Sequence, residues 1–203
     1  EADLTQLSDA LNNFMEGEGR IINLSQTPVK DTDWVSQVQA EFQPFVTKYL
    51  QVVPYGYSDV PSQHKKQILL KPGRAFGNSE HATTQLCILA MEELYDQNIQ
   101  PNRILDLGTG TGILAIAAHK LWADSKILAL DIDQEAVNSA KENTKLNNID
   151  KQLEVALSNN SSLNHQFDLI VANILLGPLL HLCSSIIDAL APGGRIILSG
   201  VLS

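Results

Sequence analysis

The residues best equipped for chemistry lie in one run, Ile104–Gly112, which reads Ile-Leu-Asp-Leu-Gly-Thr-Gly-Thr-Gly. An apolar strand leads into a turn with glycine at 108, 110 and 112, and the helical run Ile113–Trp122 follows. Glycines let a backbone bend sharply and approach a ligand closely, while the first amides of the helix point into the crevice beyond the strand ends. This is the chemistry of a nucleotide-cofactor pocket. Asp131 ends a second apolar strand, Lys126–Leu130, about 20 residues after the glycines, where one carboxylate can accept both hydrogen bonds of a ribose diol. A dinucleotide fingerprint requires GxGxxG, but here position 113 is Ile and the third glycine comes one residue early. Asp106, two residues before the first glycine, opposes a diphosphate and suits a cofactor carrying an ammonium and a sulfonium. Its alternative role is an acceptor in the turn or at the helix start, and Asp133 has the type and place of an N-cap for helix Gln134–Leu146.

Asn173, in the segment Val171–Leu175, stands where another buried strand leaves the sheet, beside the cofactor pocket of such a topology. An amide oxygen there can accept an N–H bond from an amine and aim its lone pair at a methyl group. The competing role is capping the helix that begins near Gly177. His64, His119 and His165 have no ligand-spaced partners and read as surface or internally satisfied histidines, so no metal site is expected. Trp122, at a helix end, reads as packing.

The elements that must position these residues alternate regularly after Thr83. The spacing predicts helix Thr83–Tyr95, strand Arg103–Leu107, helix Ile113–Trp122, strand Lys126–Leu130, helix Gln134–Leu146, strand Gln152–Leu157, strand Phe167–Ala172, helix Gly177–Leu190 and strand Arg195–Leu198. Strands separated by helices of this length build parallel βαβ units, so the fold class is α/β, doubly wound and Rossmann-like. Upstream, Tyr49–Val53 and Gln67–Leu70 read as a hairpin, and Trp34, Val38 and Phe42 mark a helix ended by Pro44. The helix at Asp3–Met15 and the strand Arg20–Leu24 are too small a pair to hold a core and read as the tail of another module.

Composition narrows the function from outside. With 203 residues, 44% of them hydrophobic, the chain can bury one sizeable core, and its net charge of −9 argues against a protein built to grip a phosphate backbone. A basic partner is compatible with that charge. Cys87 and Cys183 form no CxxC, so neither a disulfide scaffold nor a cysteine zinc site is expected, and the expected compartment is the cytoplasm. The apolar stretch Leu169–Cys183 is interrupted by Asn173, Gly177, Pro178 and His181, which leaves it short of a membrane span.

An acidic residue before GxGxG, with a second strand ending in an acid, resembles the class I S-adenosylmethionine-dependent methyltransferases. A narrower resemblance is carried by Asp33–Trp34 with Phe42 and Pro44, Asp59–Pro61, Pro72–Gly73, Ala75–Gly77 with His81 and Thr83–Thr84, Gly112–Ala118, Asp131–Asp133, and Ala172–Leu175 with Gly177–Leu179. In order and spacing these are similar to the ribosomal protein L11 methyltransferase (PrmA) family. That resemblance implies an S-adenosylmethionine-dependent protein N-methyltransferase acting on amino groups of a ribosomal large-subunit protein or a related one. Its alternatives are a methyltransferase of another protein or small molecule, or a cofactor-binding homologue without turnover. It implies cofactor contacts from Thr84, Asp106, Gly108, Gly110, Gly112, Asp131 and Asn173, with Asn173 also catalytic, and for His81 either loop ordering or a contact to cofactor or substrate. It divides the chain into a remnant of a ferredoxin-like recognition domain at 1–27, a linker helix at 28–48 and a catalytic domain at 49–203, incomplete at its C-terminal end. Lys71, Asn78, Ser79, Glu80 and Ala82 depart from the family pattern within one loop, which implies an altered acceptor side beside an unaltered cofactor side.

Overall fold

The computed structural model describes residues 44–57, 65–71, 80–158, 163 and 166–200. The readings made for 1–43, for most of the loop after Lys71, and for His64 and His165 lie outside the described residues, as do the side chains of Glu80 and His81. All the described residues belong to the unit Trp34–Ser203.

The elements in order are β1 (Phe45–Val46), β2 (Leu50–Pro54), β3 (Lys66–Leu70), α1 (Glu80–Asp96), β4 (Arg103–Leu107), α2 (Ile113–Leu121), β5 (Lys126–Asp131), α3 (Gln134–Leu146), β6 (Leu153–Leu157), β7 (Phe167–Asn173), α4 (Leu176–Ala189) and β8 (Leu190–Ser199). Five strands form a sheet in the order β6-β5-β4-β7-β8, and every neighbouring pair is parallel. From β4 the chain winds outward to β6, then returns to the other side of β4 with β7. Right-handed crossovers therefore put α2 and α3 on one face and α4 on the other, and the strand order reverses between β4 and β7.

Strand alternation divides the core in the same way. Ile104, Ile127, Ala129, Leu153, Val155, Leu169 and Val171 are buried against α1, α2 and α3, while Leu105, Leu107, Leu130, Ile170 and Ala172 are buried against Leu179, Ile186 and Ala189 of α4. Because side chains two apart share a face, Asp106, Asp131 and Asn173 all project on the α1–α3 side at the carboxyl ends of adjacent strands. Leu157 of β6 pairs with Asp131, and Ser199 of β8 pairs with Asn173, so the same row runs across the sheet.

The second sheet corrects one expectation. β2 and β3 pair in parallel, Leu50 with Lys66 through Pro54 with Leu70, rather than as a hairpin, and β1 lies antiparallel to β2. Residue composition predicts strands but not their direction. The segment between Pro54 and Lys66 is long enough to return to the starting edge, which a tight two-residue turn could not do. β8 also starts earlier than expected. Phe167 pairs with Leu190, the ladder is then irregular, and it resumes from Leu169–Arg195 to Asn173–Ser199, so the predicted Arg195–Leu198 is its regular part. Trp122 is buried as packing, its indole N–H donating to the Ile99 carbonyl at 2.9 Å. His119 is neither exposed nor satisfied. Its Nδ1 is buried without a partner among the described residues, and burial holds its pKa below the ordinary histidine value, since an isolated charge in that environment is unfavourable.

Candidate active site at the strand-order reversal

The glycine turn is built from backbone bonds to the neighbouring strand. The amides of Gly108 and Thr109 both donate to the Leu130 carbonyl, at 2.8 and 2.9 Å, and the Gly112 amide donates to the Thr109 carbonyl at 2.8 Å. Gly108 has φ 75°, and a Cβ there would collide with Cγ2 of Ile174. Gly110, at φ 54°, is different, because a Cβ there would meet nothing within 4 Å among the described residues. The turn thus presses against the β7 exit at one glycine and faces open space at the next.

Asp106 serves the turn with one oxygen and leaves the other free. It is 1% exposed, and its Oδ2 accepts from the Thr109 hydroxyl at 2.6 Å and from the Ala115 amide at 3.0 Å. Gly112, the N-cap residue of α2, has no side chain to cap with, so the strand carboxylate satisfies an amide of the first turn in its place. Oδ1 is buried with no hydrogen-bond partner among the described residues. Burial raises the Asp106 pKa to about 6, opposed by the Thr109 and Ala115 bonds and assisted by the nearby Asp131 charge. The structure shows the turn and helix-start role of Asp106. The turn role is filled, and an orphaned acceptor remains that an ammonium would satisfy.

Asp131, half-buried at the end of β5, is tied to the same turn. Its Oδ2 accepts the Gly110 amide at 2.9 Å, and its Oδ1 accepts the Asp133 amide at 3.0 Å. Each carboxylate oxygen has a second lone pair, so the diol-binding role is compatible with this stapling. Asp133 caps α3 as expected, accepting from the Glu135 amide at 2.9 Å.

Asn173 does not cap α4, whose N-cap residue is Leu175 and has no side-chain bond. Its Nδ2 donates to the Thr84 hydroxyl at 3.1 Å, and Thr84 is itself buried on α1. This bond fixes the amide plane and leaves Oδ1 as an acceptor. Thr109 and Cys87 escaped the sequence reading. Cys87 is buried on α1, its thiol pushed up to about 11 by burial first, with the Asp106 charge adding and a Ser199 hydrogen bond opposing. A hydroxyl three residues after a strand-end acid is the signal that could have found Thr109. Lys71, the basic departure from the family pattern, pairs with Glu142 at 3.1 Å with both side chains exposed.

Asp106, Gly108, Gly110, Gly112, Asp131, Asn173 and Thr84 thus come together around the carboxyl ends of β4, β5 and β7. The family model described as ribosomal protein L11 methyltransferase (PrmA) matches residues 1–203. The chain belongs to the ribosomal protein L11 methyltransferase family. It is 38% identical over 190 residues to the ribosomal protein L11 methyltransferase of Tolumonas auensis, covering 93% of this chain and 63% of that protein. With the Lactobacillus johnsonii protein of the same name the identity is 42% over 183 residues, covering 89% and 56%. The chain therefore spans about six-tenths of the length of these curated relatives. The crystal structure of a ribosomal protein L11 methylase from Lactobacillus delbrueckii subsp. bulgaricus superposes with a TM-score of 0.66 at 39% identity, over 78% of this chain and 80% of that one. A caffeoyl-CoA O-methyltransferase structure from Staphylococcus aureus, at 16% identity and a TM-score of 0.50, shares the fold.

Proposed function

We propose that the chain is the cofactor-binding and catalytic part of an S-adenosylmethionine-dependent protein N-methyltransferase whose acceptor is an amino group of ribosomal protein L11 or of a related basic protein. The observation that carries this reading is the pairing across the strand-order reversal of an orphaned, buried Asp106 oxygen with an amide, Asn173, whose donor end is already engaged. Family membership supports the methyl donor and the ribosomal acceptor. A cytoplasmic protein that binds neither nucleic acid nor membrane is part of the same reading. The net charge of −9 fits a basic protein partner, and among the described residues no helix is long and apolar enough to cross a membrane.

The residues present fit the methyl donor. Asp106 Oδ1 supplies the acceptor for an ammonium, the open side of Gly110 admits a ligand against the backbone, and Asp131 supplies acceptors for a ribose diol. When bound, S-adenosylmethionine supplies a methyl group activated by its sulfonium. The chain's own part is then orientation and exclusion of water, in which Asn173 Oδ1 accepts an N–H of the incoming amine while Thr84 holds the amide plane.

Intact-mass analysis of L11 after incubation with the full-length protein and S-adenosylmethionine tests the acceptor. Mass increments of whole methyl groups on L11 are expected. Binding of adenosylhomocysteine without methylation of L11 would leave the cofactor assignment and move the acceptor elsewhere, as the departures at Lys71, Asn78, Ser79, Glu80 and Ala82 suggest.

A further inference from the structure

Two buried amides, Asn143 on α3 and Asn147 at its C-cap, follow the apolar positions Val137 and Ala140 and belong to no part of the site described so far. Asn147 closes the free edge of β3. Its Oδ1 accepts the Leu69 amide at 3.0 Å, and its Nδ2 donates to the Leu69 carbonyl at 2.7 Å and to the Asn143 carbonyl at 2.8 Å. Asn143, fully buried, takes the next position along that edge, its Oδ1 accepting the Lys71 amide at 2.9 Å. The fit is geometric: four residues of helix climb about 6 Å, and two residues of strand advance about 6.6 Å, so amides one turn apart can serve strand residues two apart. α3 thereby substitutes for a missing neighbouring strand.

Asn143 does more than Asn147, because its other end reaches the cofactor turn. Nδ2 donates to the Thr111 carbonyl, between Gly110 and Gly112, at 2.9 Å. The β3 side leads to the acceptor end of the site. β3 pairs along its whole length with β2, and the turn at 47–50 beside β2 is held by Glu92 of α1, whose carboxylate accepts the Lys48, Tyr49 and Leu50 amides and the Thr47 hydroxyl. The same helix carries Thr84 to Asn173.

We propose that Asn143 is a positioning residue for methyl transfer, fixing the glycine turn that holds the donor relative to the β2–β3–α1 layer that holds the acceptor amide. This rests on the methyltransferase reading above. Alignment matters because a displacement of about 1 Å between reacting groups can cost on the order of 100-fold in rate.

The test compares the full-length protein with its Asn143→Asp, Asn143→Ala and Asn147→Ala variants, using methyl transfer to L11 and calorimetric binding of adenosylhomocysteine. Asn143→Asp keeps the acceptor for the Lys71 amide but sets an oxygen against the Thr111 carbonyl. Its kcat should fall about 10- to 100-fold while the acceptor KM stays within about threefold. Asn147→Ala, which loosens β3 without touching the turn, should lower the melting temperature and leave kcat within about twofold. A measurement on the unmodified protein covers the case in which the Asn143 variants do not fold: adenosylhomocysteine should slow hydrogen exchange at the Lys71 amide, which Asn143 links to the turn. Equal kcat values for folded Asn143→Asp and Asn147→Ala, or ligand binding with unchanged exchange at Lys71, would overturn the proposal. Absence of adenosylhomocysteine binding by the unmodified protein would instead strike the methyltransferase reading itself.

Discussion

Asp106 divides its oxygens between a filled structural role and an empty one, and that division makes pH a probe of the site. Its folded pKa, about 6, lies above the usual carboxylate value of about 3.9. Between those values the folded protein binds the proton more than the unfolded chain does. Stability contributed by protonated Asp106 is therefore present below about pH 4 and is lost as pH rises through about 6. Melting temperatures without ligand should show this fall in the unmodified protein and lack it in Asp106→Asn. An ammonium beside Oδ1 favours the ionised form, so adenosylhomocysteine affinity should rise between pH 5 and 7, and the rise should vanish in Asp106→Asn. Asn173 makes a different prediction. Asn173→Ala should lower kcat about 10- to 100-fold and change adenosylhomocysteine affinity by less than about threefold, while Thr84→Val should act in the same direction but more weakly, since it removes only the hydroxyl that fixes the amide. The glycines separate packing from access. Gly108→Ala meets both a positive φ and Ile174 and should destabilise the fold by about 2–4 kcal/mol in urea denaturation. Gly110→Ala meets only the φ penalty, about 1–2 kcal/mol, and its main loss should be ligand binding.

At the level of elements, one carboxylate of α1 gathers most of the hydrogen bonds that hold the turn at 47–50. Glu92 is 3% exposed and gathers three amides and a hydroxyl from 47–50, so Glu92→Ala takes the carboxylate from the part-buried Lys48 and Tyr49 amides, while Thr47 and Leu50 keep their bonds to each other. A loss of about 3 kcal/mol or more in urea denaturation is expected, and a change below about 1 kcal/mol would show that the turn finds other partners. The sequence made the alternating elements legible because buried parallel strands are short apolar runs, and their helices carry the 3.6-residue period between them. Gln134–Leu146 and Arg103–Leu107 are found where the pattern puts them. Strand direction in β2 and β3 was not legible, since β-propensity is the same for either direction. Nor were Asn143 and Asn147, whose roles depend on what α3 packs against. Their only local trace is an i, i+4 pair of amides on an apolar face. In the site, Asp131 and Asn173 were legible as polar residues that end apolar runs, and Asp106 by its place before the glycine turn. Asp131's hold on the Gly110 amide was not, because it requires the turn to fold back over β5.

For the molecule as a whole, the proposed basic acceptor facing a chain of net charge −9 predicts a salt-sensitive encounter. The KM for L11 should rise with ionic strength while kcat changes little, because screening weakens the long-range attraction and leaves the aligned complex intact. On the proposed function, the carboxyl ends of β4, β5 and β7 bind S-adenosylmethionine with Asp131 as its ribose acceptor. Calorimetric titration of the folded protein with adenosylhomocysteine, beside Asp131→Ala checked for folding by circular dichroism, tests it most directly. One equivalent should bind, and the variant should bind about 10- to 150-fold more weakly, a loss of about 1.5–3 kcal/mol. No binding by the unmodified protein, or equal affinity in folded Asp131→Ala, would contradict the account.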